Sequence, residues 1–301
     1  MKSLGKYLLA DDMRAAMVAL GCSLLAFILP IGFVTILILG LVTLQKGYRA
    51  GLVVLSFVLL PAIALLITRN FVFFYWFDLL LIQCGLMFIF ALILRYTAFW
   101  QWVLETAAAI GILTVGVVHL IFPHVRQIWT ELINNYLQAN SFSLTFHLGT
   151  DRSVAFIQHL AAIATGGCAF FVLFGMIVLM ILARWWQTTL FSPGRLKLEF
   201  NRIRISQVSA GLLIIASIAL IWQPSWLVDI YPMLLFPFMV GGLSILHQLV
   251  MNRREIALIV VMVYIALLLL TFFTVIVLAI VGFIDSFYDF RKRYALITER
   301  I

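Results

Sequence analysis

The chain has 301 residues, of which 65% are hydrophobic and 11% are charged, and its formal net charge is +8. A water-soluble domain with this composition would expose a very large apolar surface, so the soluble globular class is excluded. The basic residues lie in short connections beside apolar runs, which is typical of loops that orient a membrane protein and argues against nucleic-acid binding.

The longest apolar run covers residues 256–284 and contains no charged side chain. It exceeds the roughly 20 apolar residues that cross the hydrocarbon core of a bilayer. Several similar runs, separated by short turns, predict an all-α polytopic transmembrane helical bundle, because lipid-facing backbone has to be helical. The lipid bilayer is therefore the first expected partner.

In chain order, a polar or amphipathic lead-in precedes the first apolar run, and no cleavable signal is predicted. Pro30 and Gly32 separate the first two of nine predicted spans. The spans cover residues 15–29, 31–45, 50–68, 71–95, 98–122, 154–184, 208–222, 231–250 and 256–284.

Residues 124–140 form a polar connection with one apolar stripe at helical spacing. A helix lying in the membrane interface and a loop helix packed on the bundle both fit this pattern. A basic segment at residues 185–207 follows the sixth span.

Nine spans with a cytoplasmic N-terminus place most of the basic residues on the inner side, as the positive-inside rule requires. If the proline-containing segment around residues 224–237 is re-entrant, eight spans remain and the basic tail moves inside. We therefore expect eight or nine membrane helices in a single integral membrane domain over residues 1–301. The basic segment at 185–207 is then a cytoplasmic loop, and the side of the C-terminal tail stays open.

Four phrases of the sequence are distinctive: LVTLQKGYRAG at 41–51, ARWWQ at 183–187 with SPG at 192–194, GGLSILH at 241–247, and GFIDSFYDFRKR at 282–293. Together they resemble the YybS-like family of predicted bacterial membrane proteins, a domain of unknown function. The resemblance implies a multi-pass protein of the bacterial cytoplasmic (inner) membrane, and it brings no established activity.

The resemblance also implies that the first six helices, over residues 14–184, are similar in layout to the substrate-binding (S) components of energy-coupling-factor vitamin transporters. Residues 208–301 would then form a smaller C-terminal bundle and tail. In S components an Ala-x-x-x-Ala spacing, here Ala15 and Ala19, forms a docking face for the transmembrane coupling subunit, since small residues allow close helix approach.

Ionisable side chains inside a bilayer are costly, and each is a candidate for function. In the predicted topology Asp78, His119 and His159 fall in the outer halves of their spans, and Arg69 lies at the same side. We predict that these four residues line an outward vestibule for a polar or ionisable small molecule. Separate helix-end residues with local hydrogen bonds would give the same pattern.

Glu105 and His247 fall toward the inner side and form a second candidate pair. A buried acid–imidazole pair suits a proton relay, whereas a contact of Glu105 with backbone or a glutamine explains its position equally well. We predict no metal site and no cofactor, because Cys22, Cys84 and Cys168 lie far apart without ligand spacing.

The basic segment and the residue before it, Arg184, carry five cations beside apolar residues, which suits contact with anionic lipid or with a cytoplasmic protein partner. These cations are Arg184, Arg195, Lys197, Arg202 and Arg204. No catalytic motif occurs, which argues against an enzyme, although an intramembrane enzyme without such motifs stays open as a third hypothesis. The leading hypothesis is binding or transport of a small molecule from the outer face. The alternative is a non-transporting scaffold or regulator in envelope assembly that docks a partner through residues 184–205.

Overall fold

The computed structural model describes residues 2–67, 71–139, 150–222, 225–252, 257–288 and 290. Within these ranges the chain consists of α-helices and one short 3-10 helix, and no strand occurs. The predicted all-α class is therefore confirmed. A helix satisfies its own backbone hydrogen bonds, which a chain surrounded by hydrocarbon requires.

The helices of the described residues are numbered α1 to α14 in chain order. The first seven are α1 Lys2–Ala10, α2 Asp12–Leu25, α3 Gly32–Lys46, α4 Tyr48–Ile67, α5 Phe71–Thr97, α6 Trp100–Ile121 and α7 Val125–Ala139. The others are α8 Thr150–Ala162, α9 Ala164–Phe191, α10 Arg195–Phe200, α11 Gln207–Ala219, α12 Ser225–Asn252, α13 Ala257–Leu269 and α14 Thr271–Tyr288. The 3-10 helix, Leu220–Trp222, follows α11.

Six helical segments of the described chain are long and apolar enough to cross a membrane. They are Tyr48–Ile67, Phe77–Thr97, Trp100–Ile121, Ala164–Phe191, Trp226–Leu249 and Thr271–Tyr288. Three shorter apolar helices lie at Gly32–Lys46, Gln207–Trp222 and Leu258–Leu269. Large apolar side chains such as Leu113, Phe171 and Leu268 are exposed on these helices, as expected of a membrane protein.

The chain divides into two compact units. Unit 1 comprises residues 1–103 and 174–202, and unit 2 comprises residues 104–173 and 203–301. Two boundaries between the units fall inside α6 and α9, and the third follows residue 202, in the connection between α10 and α11. The sequence suggested subdivisions at residues 184 and 207.

In unit 1 the helix α2 packs against α3 and α4, and α5 packs against the same two helices. The core includes Leu39 and Val42 of α3 and Phe90 of α5, all fully buried. Gly40 lets the end of α9 approach α3, because a Cβ at this position would lie 3.1 Å from the Cβ of Ala183. The packing of unit 1 therefore depends on small residues at its helix crossings.

In unit 2 the most extensive helix contact joins α12 and α14. A Cβ at Gly242 would collide with the carbonyl oxygen of Leu278, and a Cβ at Gly282 would collide with the carbonyl oxygen of Phe238. The two backbones thus touch through glycines on both helices. Such close approach is a common solution in membranes, where packing replaces the hydrophobic driving force.

Two predicted spans are each interrupted once. The span predicted at 154–184 is divided at residue 163 into α8 and α9, and that at 256–284 is divided at residue 270 into α13 and α14. At the second break the hydroxyls of Thr271 and Thr274 donate to the carbonyls of Leu267 and Leu270 at 2.8 and 3.0 Å. Such bonds to the preceding turn bend helices.

The prolines of α12 do not end the helix, which begins at Ser225 rather than near residue 231. Pro232 and Pro237 both lie inside it. Proline is tolerated in membrane helices because neighbouring groups satisfy the carbonyls that it frees. The earlier start places Asp229 on a helix that crosses unit 2.

Replacing Gly282 with alanine should destabilise unit 2. The new methyl group would meet the Phe238 carbonyl, so the helices would have to separate, at a cost of about 1–3 kcal/mol of unfolding free energy. Denaturation of the detergent-solubilised protein measures this loss. The matched control is Gly211→Ala in α11, where a Cβ would meet nothing within 4 Å. Equal stability of the two variants would contradict the close contact.

Candidate functional site

A buried carboxylate joins three membrane helices in unit 2. The side chain of Asp229 on α12 is only 2% exposed. Its Oδ1 accepts a hydrogen bond from the backbone N–H of Gly166 at 2.6 Å, and its Oδ2 lies 2.9 Å from Nε2 of His119 on α6. Both oxygens of the carboxylate are therefore occupied, as a buried charge requires. We call Asp229, His119 and Gly166 the polar cluster.

Gly166 lies in the first turn of α9, where the N–H groups have no partner within the helix. The partial positive charge at a helix N-terminus favours a nearby anion. Asp229 thus performs for α9 the task of a capping residue, although it lies 63 residues further along the chain. Each charge-assisted bond of this kind contributes about 1.5–3 kcal/mol.

His119 connects the polar cluster to the surface. Its side chain is 24% exposed, compared with 2% for that of Asp229. The imidazole donates through Nε2, because an ionised carboxylate only accepts. One member of the pair is therefore buried and the other is partly exposed.

Gly166 is required by the close approach of α9 to α12. A Cβ at this position would collide with the backbone carbonyl oxygen of Asp229. At the next residue, Gly167, a Cβ would meet nothing within 4 Å. The first of these two glycines thus has a steric function that the second lacks.

The helices α7 and α8 pack together beside the polar cluster. Nε1 of Trp129 on α7 donates to the hydroxyl of Thr165 at 2.9 Å, next to Gly166. Arg126 of α7 donates through Nη2 to the carbonyl oxygen of Gln158 on α8 at 3.3 Å. The two helices border an open groove of about 560 Å³. Its lining residues are Arg126, Gln127, Thr130, Glu131 and Gln158.

Three of the four residues predicted to line an outward vestibule lie among the described residues. His119 is in the polar cluster, whereas His159 is exposed on α8 of the same unit. Asp78 is half-buried on α5 and belongs to unit 1. Arg69 lies outside the described residues. The residue that the structure places beside His119 is Asp229.

Glu105 and His247 each have hydrogen-bonding neighbours in unit 2. Oε1 of Glu105 accepts from the backbone N–H of Ser206 at 2.9 Å, at the residue that caps α11. Nδ1 of His247 lies 2.9 Å from the carbonyl oxygen of Leu243, and its Nε2 lies 3.3 Å from the hydroxyl of Tyr264. The contact of Glu105 matches the backbone alternative considered from the sequence.

Arg184 is largely buried at the end of α9. Its guanidinium binds both carboxylate oxygens of Glu199 on α10, at 3.0 and 2.5 Å, and also the amide oxygen of Gln187. Gln187 in turn donates to Gln45 on α3, and Arg195 donates to Glu199 at 2.9 Å. These bonds fasten α10 to unit 1, and they give Arg184 a structural role inside the chain.

The other cations of the basic segment differ in exposure. Arg204 donates to the carbonyl oxygens of Asp285 and Ser286 at 3.1 and 3.0 Å, at the end of α14. A cation at a helix C-terminus is favourable, so Arg204 stabilises unit 2. Arg195, Lys197 and Arg202 are exposed. They are the members of the segment that a lipid or protein partner can reach.

The small residues predicted as a docking face are covered by the chain itself. Ala15 and Ala19 have no exposed surface, and their helix packs against α3 and α4. The Thr35 hydroxyl of α3 donates to the carbonyl oxygen of Ala19 at 3.4 Å. A coupling subunit would have to displace these helices to reach the two alanines.

Asp229 was missed by sequence reasoning because of its neighbours. Pro224, Pro232 and Pro237 suggested that the seventh connection extends to about residue 231, which left Asp229 outside any span. The available signal was its position three residues after Trp226 in an otherwise apolar stretch. An isolated carboxylate there is costly unless it has a partner.

Replacing Gly166 with alanine should disrupt the polar cluster. The methyl group would force α9 away from α12, lengthen the bond to Asp229 and lower the unfolding free energy by about 1–3 kcal/mol. Thermal unfolding in detergent measures the effect. Gly167→Ala is the matched control and should be no less stable than the parent, because alanine favours helix more than glycine does. A loss of equal size in both variants would contradict the steric argument.

Comparison of the chain with protein-family models, with curated proteins and with solved structures gives no match in any of the three searches.

Proposed function

We propose that this chain binds a small polar molecule from the outer face of a bacterial inner membrane, and that it takes part in the transport of that molecule. The observation that carries the proposal is the polar cluster, in which a buried carboxylate on a membrane helix is paired with a partly exposed histidine. Ionisable groups within membrane helices mark ligand or ion pathways by default, because they are expensive to bury without a use.

The proposal includes the finer topology expected from the sequence. The chain would have eight or nine membrane helices, among them the six long apolar segments. Its N-terminus would be cytoplasmic, and the first six spans would be related to those of S components and of the YybS-like family. Since the sequence contains no ATPase motif, active uptake would depend on partner subunits. The buried Ala15 and Ala19 are not part of the proposed docking surface.

The geometry of unit 2 supports this proposed ligand site. His119 supplies a group that a ligand can reach, and Asp229 fixes the orientation of its imidazole through the 2.9 Å bond. A ligand that competes for Nε2 or binds the exposed ring edge would alter the bond to Asp229 and hence the contact with α9. This links occupancy of the site to the packing of three helices.

Substitutions in the polar cluster should weaken ligand binding. A thermal-shift screen of the purified protein against vitamins and other metabolites identifies the ligand. Its affinity should then fall by about tenfold to a hundredfold in Asp229→Asn and His119→Gln, which corresponds to one lost charge-assisted bond. Titration calorimetry measures the affinity.

The matched control is His124→Gln, which removes an exposed imidazole between α6 and α7. Asp78→Asn, measured beside it, tests whether the predicted vestibule includes Asp78. If the cluster variants lower stability while the folded protein keeps its full affinity, the cluster is structural and the proposed site is wrong.

A scaffold or regulator in envelope assembly is the second candidate, and the exposed Lys197 and Arg202 favour it. The only acidic residue of the segment, Glu199, is already bound to two arginines, so the exposed cations are available to an acidic partner. Arg204 is unsuitable as a test position because its loss would also uncap α14.

Charge reversal of the exposed cations separates the two candidates. If the chain is a scaffold, Lys197→Glu with Arg202→Glu should abolish crosslinking and co-purification of a partner, as quantified by mass spectrometry, because like charges would then face the acidic partner. The control is Lys6→Glu, an exposed cation on α1. An unchanged set of partners would remove the support for this candidate.

A further inference from the structure

The groove between α7 and α8 is lined by one cationic residue, one anionic residue and three neutral polar residues. Arg126 and Glu131 supply the charges, and Gln127, Gln158 and Thr130 supply amide and hydroxyl groups. Its volume of about 560 Å³ lies within the range of small-molecule sites, which is roughly 300–1,000 Å³. The described residues of this lining are all polar or charged, which favours a ligand that carries polar groups.

The two opposite charges of the groove do not neutralise each other. Among the described residues, the ion pairs join Asp12 with Lys46, His119 with Asp229, and Glu199 with Arg184 and Arg195. Arg126 and Glu131 form no such pair in that part of the chain. A ligand placed between them can therefore contact both.

The positions of the charges on α7 set the spacing that a ligand has to match. Five residues separate Arg126 from Glu131, which corresponds to about 7.5 Å along a helix axis. A molecule whose anionic and cationic groups are several bonds apart fits this spacing better than one that carries both charges on adjacent atoms.

Hydrogen bonds hold the groove in place, and the same side chains keep donors and acceptors that a ligand can use. Arg126 uses one of its five N–H donors on the Gln158 carbonyl. The Thr130 hydroxyl donates to the carbonyl oxygen of Arg126 at 2.8 Å, so its own oxygen can still accept. Through Trp129, α7 is bonded to Thr165, the residue before Gly166 of the polar cluster.

We infer that this groove binds a small zwitterion, with its anionic group on Arg126 and its ammonium group on Glu131. The inference rests on the proposed function, because it names the class of molecule that would reach the outer side of unit 2. The same chemistry exists in a free metabolite and in the headgroup of an amine-containing phospholipid. The experiment therefore includes both sources.

The test uses the full-length protein and phosphoethanolamine as the probe, with binding measured by titration calorimetry in detergent. Arg126→Gln and Glu131→Gln should each lower the affinity by about tenfold or more, because each removes one charge-assisted contact. Arg126→Lys should retain most of the binding. The matched control Arg152→Gln removes an exposed cation of α8 outside the groove and should leave the affinity unchanged.

Two further probes test the requirement for both charges. Inorganic phosphate and ethanolamine each satisfy only one side of the groove, so each should bind more weakly than phosphoethanolamine. Nanodiscs that contain phosphatidylethanolamine, compared with nanodiscs of phosphatidylglycerol alone, identify the lipid source. If only phosphatidylethanolamine prevents the probe from binding to the groove, the natural ligand is a lipid headgroup. If the free probe binds in both kinds of nanodisc, the natural ligand is a free metabolite.

The inference is overturned if phosphoethanolamine does not bind, if Glu131→Gln has no effect, or if Arg152→Gln weakens binding as much as Arg126→Gln does. These outcomes leave the proposed function intact when another ligand from the screen still depends on His119 and Asp229. Conversely, if the cluster variants do not change the affinity for the zwitterion, the result supports the zwitterion site in the groove and gives no support to the proposed site in the polar cluster. Circular dichroism of each variant confirms that it is folded before its affinity is compared.

Discussion

Hydrocarbon offers no hydrogen-bond partner, so a polar group on a membrane helix has to find one within the chain. The described residues follow this constraint at several points. Asp229 is satisfied by a backbone N–H and an imidazole, and Arg184 is satisfied by Glu199 and Gln187. The bonds of Asp229 and the bond between Arg184 and Glu199 connect different helices, so these polar side chains also determine which helices lie together.

The same constraint explains why one residue can be both structural and functional. Breaking a buried charge pair by removing one partner costs about 3–5 kcal/mol, because the remaining charge stays uncompensated. Asp229 therefore stabilises α6, α9 and α12 only while both of its contacts persist. A ligand that acts on the reachable side chain, His119, would influence the packing around it. In the proposed function, the cluster would join ligand binding and helix arrangement through one carboxylate.

A spacing of small residues in the sequence can reflect packing within the chain or contact with another subunit, and the tertiary structure distinguishes the two. The spacing of Ala15 and Ala19 suggested a surface for another subunit, but these alanines are buried by their own unit. Gly242 and Gly282, which belong to phrases noted for their family resemblance, bring α12 and α14 into backbone contact. Sequence spacing shows that two helices can approach closely, and it does not show which helix is the neighbour.

The length and low charge of the local apolar runs were sufficient to predict that the chain is helical. The same runs predicted where most of the helices lie. The sequence did not determine the break at residue 270, which depends on threonine hydroxyls bonding to the preceding turn. Nor did it identify the polar cluster, since His119 and Asp229 are 110 residues apart and the prolines obscured the start of α12. These pairings depend on the three-dimensional fold, because the partner of a buried charge is set by packing between helices that are distant along the chain.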